Sequence, residues 1–309
     1  MLNSHLRKHY ALLLIAGVII LYGMTLQSIP NGSSHPYMID VGETQVALNV
    51  WGTLHATGYP LYTILGNLFT PLPQIPGINP AASAGLFSAF WTVVALLGFY
   101  WLLYHITGKT EIAAASAFLL AVTRSVWIHS IVAEVYSMSL AILIGLWIVA
   151  VKPRNQKETR TLSFRYQLWM LALLSGIGIA HHRAIAFAAS GIFFALVPGI
   201  RMYYRILPRI IPGAVAMFLL GFLPYAYLPL RAAANAEWVY SRDVDTWHGF
   251  WFHFFGREAD YLVTAPATLN GWMDNFTGTL EILIRELSLP GAIVAGVCLI
   301  VALWRSEHR

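Results

Sequence analysis

Two carboxylates and an imidazole fall inside the 24-residue stretch IDVGETQVALNVWGTLHATGYPLY, residues 39–62: Asp40, Glu43 and His55. Asp40 and Glu43 are three apart, which places both on one face of a helix. Such a pair suits general-base work on an attacking hydroxyl, or with His55 the holding of a metal ion. The same residues also suit a solvated loop beside a membrane, with ordinary surface acids. Gly42 weakens the helix by up to ~1 kcal/mol relative to Ala, but lets another group approach its backbone. Pro60 pushes Tyr59 toward an extended conformation. The segment after it is apolar but interrupted by prolines at 60, 71, 73 and 76, so it is expected to lie in, or re-enter, a membrane interface.

Other candidates are scattered. Glu134 is expected about one turn inside a helix, where an unpaired acid is costly, so it either pairs with Arg124 or contacts a substrate. His181, His182 and Arg183 follow one another at a helix end, and at most one of the two histidines faces the bundle core. Arg231 follows YLPL and suits either a phosphate or a snorkelling role at a helix end. In WHGFWFHFFGREADYL, Arg257 could reach a phosphate. Trp247, Trp251, Phe252, Phe254 and Phe255 form either an interfacial belt or one wall of a groove for a lipid chain.

The elements that must position these residues are apolar. Of 309 residues, 58% are hydrophobic and 11% charged, and mean hydropathy is +0.63. A soluble domain has roughly a quarter of its residues charged, so the chain reads as an all-α polytopic membrane protein. Eight apolar stretches come close to spanning length: about 10–29, 84–105, 111–127, 131–151, 167–182, 184–200, 210–229 and 288–304. With the N-terminus inside and the stretches alternating, 13 of the 19 Lys and Arg fall inside, and 11 of the 14 acids outside. The positive-inside rule therefore places both termini in the cytoplasm. Two outer loops are long, at about 30–83 and 230–287, and the whole chain reads as one membrane domain, 1–309. The pI of about 9.3 reflects this topology and not a nucleic-acid partner. The lone Cys298 permits no internal disulfide, and no glycine-rich phosphate loop is visible.

Four segments in order carry a resemblance. They are DVGE with HATGYPLY, AEVY at 133–136, GIGIAHH at 176–182, and YLPLRA followed by WVYS and FGREADY. They resemble the signature segments of a family of polytopic membrane proteins that includes a vertebrate protein O-mannosyltransferase, and through it the GT-C class of glycosyltransferases. The chain departs from the family pattern where His-Pro-Pro-Gly is His55-Ala56-Thr57-Gly58, and where Trp-Gly-Asp-Pro is Trp238-Val239-Tyr240-Ser241. The resemblance implies a GT-C-like fold of about eight spans with a long first outer loop, and Asp40 as base. Glu43 would orient it. His55, Tyr59, Glu134, His181, His182, Arg183, Arg231 and Arg257 would contact substrate.

The function expected is transfer of a hexose, mannose first, from a polyprenyl-phosphate carrier to an acceptor hydroxyl on protein or glycan, at the outer face. The resemblance implies no cofactor, although two acids and His55 leave a divalent metal open. A prokaryotic plasma membrane is the expected setting. The rivals are a transporter or flippase of a lipid-linked sugar precursor, and a truncated, non-catalytic relative. A transporter would bury charge near mid-membrane and show two related halves, and neither is visible here.

Overall fold

The computed structural model of the chain describes residues 2–32, 38–151, 160–259, 266 and 268–307. Among these residues it is helical and contains no strand. In chain order the α-helices are α1 (Leu2–Thr25), α2 (Val41–Ala47), α3 (Pro60–Phe69), α4 (Pro71–Gln74), α5 (Pro80–Thr107), α6 (Thr110–Ala121) and α7 (Arg124–Ile131). They continue as α8 (Tyr136–Ala150), α9 (Arg160–His181), α10 (Ala188–Tyr203), α11 (Leu207–Leu220), α12 (Tyr227–Ala233), α13 (Trp247–Phe254) and α14 (Leu269–Glu307). By contacts the chain divides into two compact units, one of residues 1–122 and 126–258, the other of 123–125 and 259–309.

Local chemistry sets the helix ends. At the start of α5 the Asn79 side chain accepts the Ala82 N–H at 2.8 Å and Pro80 occupies the first turn. At its end Gly108 takes φ 68°, the left-handed cap that glycine adopts most cheaply. Pro198 and Pro212 lie inside α10 and α11, and the 3-10 segment Leu223–Ala226 contains Pro224. Each proline removes one backbone donor from its helix.

In the larger unit, neighbours pack as a series: α1 on α6, α6 on α5, α5 on α8, α8 on α9 and α9 on α11. Small residues allow close crossing. Ala113, Ala117 and Ala121 of α6 are buried with Leu14, Val18 and Tyr22 of α1, and the Tyr22 hydroxyl donates to the Ala121 carbonyl at 2.8 Å. A Cβ on Gly176 of α9 would lie 2.1 Å from the Phe218 carbonyl oxygen of α11. Beneath the first loop, Leu48, Leu54, Tyr62, Phe87, Val132 and Met138 form a buried cluster joining α2, α3, α5 and α8.

In the smaller unit α14 is interrupted at Ser288 (φ 62°, ψ 159°). The Ser125 N–H and hydroxyl both donate to the Glu286 carboxylate, at 3.1 and 2.5 Å.

The eight apolar stretches map onto helices: α5 and α9 run longer than their stretches, whereas 111–127 is broken into α6 and α7, 131–151 is helical in α8 only from Tyr136, and 210–229 is broken into α11, a 3-10 segment and α12. Among the described residues, two helical stretches are long and apolar enough to cross a membrane: Pro80–Thr107 and Arg183–Ala233. A third qualifies if α6 and α7, bent by 66°, count as one span. The basic loop expected inside at 152–159 lies outside the described residues, as does Tyr261 of the FGREADY segment.

Candidate functional site

The stretch around Asp40 is built tightly. α2 is two turns, shorter than the helix expected over DVGETQVALNVWG, and Asp40 stands at its N-cap with Glu43 in its first turn. A Cβ on Gly42 would lie 2.0 Å from the Asn31 carbonyl oxygen, so the approaching group foreseen at this glycine is the chain's own segment 29–31. Gln45 clasps that segment, accepting the Asn31 N–H at 2.9 Å and donating to the Ile29 carbonyl at 3.1 Å.

The loop after α2 brings His55 back over the same turn. One Glu43 oxygen accepts the His55 backbone N–H at 2.6 Å, and the other lies 3.1 Å from His55 Nδ1. His55 Nε2 lies 3.8 Å from an Asp40 oxygen. The imidazole thus sits between the two carboxylates. The Asp40 side chain is 38% exposed and that of Glu43 14%, so Asp40 is the carboxylate that solvent or a substrate reaches. Burial alone would lower the His55 pKa, but the bond to Glu43 and the charges of Glu43, Asp40 and Glu134 outweigh it and hold it above the usual value.

Three distant segments fix this loop. Glu258 accepts the Ala56 N–H at 2.9 Å across 202 positions of sequence. Gly58 has φ 88°, and a Cβ there would lie 2.6 Å from Leu228. The Thr53 N–H donates to the Trp238 carbonyl at 3.1 Å, and Tyr240 N–H donates to the Thr53 hydroxyl at 2.9 Å. That pairing sets the Tyr240 ring 6.1 Å from His55. Glu258 and Tyr240 are functional candidates that the sequence reading missed. Local pattern offers no signal for either, because each reaches the site through folding.

The other expected residues divide. Tyr59 joins the cluster: its ring is 5.4 Å from His55, 6.0 Å from His181 and 6.3 Å from His182. It is not extended as expected but left-handed (φ 41°, ψ 47°) as the N-cap of α3. Proline disfavours only the right-handed helical region before it, and packing selects among the rest. His181 is buried and its Nε2 lies 3.0 Å from the Val135 carbonyl, while half-buried His182 lies against Tyr59 and Tyr136. One histidine of the pair faces the core, as expected.

Glu134 sits in the turn before α8, not one turn inside a helix. Its backbone is clamped there: Ser88 Oγ contacts both its N–H and its carbonyl at 3.0 Å, and the Tyr62 hydroxyl donates to the carbonyl at 3.2 Å. Only 5% exposed, it has its pKa pushed up to about 8, chiefly by burial and then by the Asp40 charge.

The arginines are placed around the loop. Arg231 donates from Nε to the Trp51 carbonyl at 2.7 Å. Arg183 donates to the Phe255 carbonyl at 2.6 Å and lies over the Phe254 ring. Arg257 is exposed, next to Glu258. The ion pairs of Asp40 and Glu43 are with His55. Of the aromatic run, Trp247, Phe252 and Phe255 are exposed. A groove of about 830 Å³ lies beside α2, lined by Ile39, Gly42, Glu43, Val46, Pro80 and Trp238 among others.

Fold and site together define an apolar helical protein, with helices able to cross a membrane and a carboxylate–imidazole cluster in the loops between them. A family profile described as the protein O-mannosyl-transferase TMEM260 N-terminal domain matches residues 40–199, more than half of the chain. The chain belongs to that family. It is similar to a mouse (Mus musculus) protein O-mannosyl-transferase TMEM260, 27% identical over 249 residues, which are 79% of this chain and 33% of the relative. It is also similar to a Dictyostelium discoideum protein of the same description, 23% identical over 255 residues, 80% of this chain and 30% of the relative. The chain therefore spans about a third of the length of the curated relatives it matches. No solved structure matches it.

Proposed function

We propose that the protein is a membrane glycosyltransferase that moves mannose from a polyprenyl-phosphate carrier to a Ser or Thr hydroxyl of an acceptor protein. The observation that carries this reading is the assembly of Asp40, Glu43 and His55 into one partly open cluster, at the start of the segment that matches a mannosyltransferase family. The names of the two relatives supply the sugar and the acceptor class.

The chemistry follows from the residues. Asp40, the more exposed carboxylate, takes the proton of the acceptor hydroxyl as its oxygen bonds to the anomeric carbon. The bond from that carbon to the carrier's phosphate oxygen breaks, and its electron pair leaves with the phosphate. A single displacement of this kind inverts the anomeric centre. Negative charge nearby stabilises the oxocarbenium-like transition state. Glu43 holds His55 through two contacts and so positions the imidazole beside Asp40. Arg183, Arg231 and Arg257 are proposed to draw the departing phosphate. The groove at Glu43 and the exposed aromatic rings offer apolar surface to the carrier chain.

In the same reading the chain is one GT-C-like membrane domain of eight spans, with both termini cytoplasmic and the cluster on the outer face of a prokaryotic plasma membrane. The test is transfer of radiolabelled hexose from a panel of polyprenyl-phosphate sugars into membranes holding the wild type or Asp40→Asn. Incorporation from the mannosyl donor that disappears in the variant supports the reading. Absence of incorporation from every donor sinks it.

A further inference from the structure

We propose that Asp40, Glu43 and His55 bind a divalent cation. One ligand atom from each of the three lies within 4.8 Å of the others, a spacing that one ion between them closes with small side-chain shifts. The 3.8 Å from His55 Nε2 to the Asp40 oxygen is less than two metal–ligand bonds of roughly 2.0–2.2 Å end to end. His55 offers Nε2 toward Asp40 and Nδ1 toward Glu43, so an ion takes one ring nitrogen and the carboxylate on the other side turns to reach it.

Nearby, Glu134 is only 5% exposed; the Val135 backbone N–H bonds its carboxyl, which also feels the charges of Asp40, His55 and Glu43. Two carboxylates thus flank one imidazole, and among the described residues neither Asp40 nor Glu43 has a Lys or Arg ion-pair partner. Loose surface acids would not be held like this. Gly42 against Asn31, and Glu258 on Ala56, fix both halves of the cluster.

The donor set is one nitrogen and carboxylate oxygens with no thiolate. That favours a Mn²⁺-like ion, or Zn²⁺, over soft metals, and leaves positions open for phosphate oxygens. Each carboxylate has two oxygens, so Asp40 can face the ion with one and an acceptor with the other. The ion's role, neutralising charge on the departing phosphate, rests on the transferase reading; its binding does not.

The experiment is titration of MnCl₂ into the purified full chain in detergent after EDTA treatment, with free Mn²⁺ followed by its electron paramagnetic resonance signal. The expected result is about one Mn²⁺ bound per chain. Binding should weaken at least ~10-fold in Asp40→Asn and in His55→Gln, each checked for folding by gel filtration. Glu281→Gln, an exposed acid paired with Arg285, should bind as wild type does. No binding, or binding that both cluster variants retain, overturns the proposal. A protonated His55 would then be the cation of the cluster. Hexose transfer measured in parallel separates the two ideas. Mn²⁺ binding without transfer from any donor leaves the site standing and removes the transferase. Transfer that survives EDTA in a chain that binds no Mn²⁺ does the reverse.

Discussion

At the scale of single residues, the cluster depends on how burial and charge divide among three acids. Asp40 stays accessible, Glu43 is spent on His55, and Glu134 is buried. Glu134 yields a prediction of sign. Its pKa rises from 4.5 to about 8 on folding, so the folded state holds this proton more tightly than the unfolded state. That contribution to stability is full below about pH 4.5 and is lost as the pH rises toward 8. Melting temperature in detergent should therefore fall across this window in wild type. In Glu134→Gln, which mimics the protonated acid, the fall should be distinctly shallower. Parallel curves for the two proteins would mean that Glu134 titrates normally. Of this scale the sequence showed the acids, the histidine and the glycine. It did not show their division of labour, because exposure is decided by packing from α3, α5 and α8. Nor did it show Glu258, whose carboxylate meets Ala56 across a sequence separation of 202.

At the scale of elements, the first loop works as a small rigid scaffold: α2 is locked from one side by Asn31 and the following loop from the other by Glu258 and Trp238. Gly42→Ala tests this directly. Its added methyl would meet a backbone oxygen, which a rotamer change cannot move aside. Overpacking of this kind costs about 1–3 kcal/mol, and the melting temperature should drop by several degrees. A Gly42→Ala protein as stable as wild type would show that the 29–31 segment does not bear on α2. Helix ends were legible where a single residue type decides them, as with Asn79 and Pro80 before α5 and Gly108 after it. They were less legible where tertiary contacts compete. The apolar stretch 131–151 runs through Glu134, but Ser88 and Tyr62 take its backbone groups and α8 begins two residues later. Tyr59 was read as extended for the same reason: the rule before proline excludes one region and leaves packing to choose another.

At the scale of the whole molecule, hydropathy located the long apolar helices but not α3 or α13, and not the breaks. The 66° bend between α6 and α7 divides a run that composition alone joins, and the 3-10 segment holding Pro224 separates α11 from α12, whereas Pro198 and Pro212 are carried inside α10 and α11. The proposed topology puts Lys109, at the turn between α5 and α6, inside, and Glu237, after α12, outside. Both are exposed. In a Cys298→Ser background, Glu237→Cys should react with a membrane-impermeant maleimide in intact cells, and Lys109→Cys only after lysis. Labelling of both, or the opposite order, would break the topology and with it the outer-face site. The central claim is that this cluster transfers a sugar. It is tested most directly by the rate at which purified protein moves mannose from polyprenyl-phosphate mannose to a Ser/Thr peptide, compared with an Asp40→Asn protein of equal melting temperature. Loss of the base should slow transfer by roughly 10²–10⁴-fold. Equal rates in the two proteins would contradict the account.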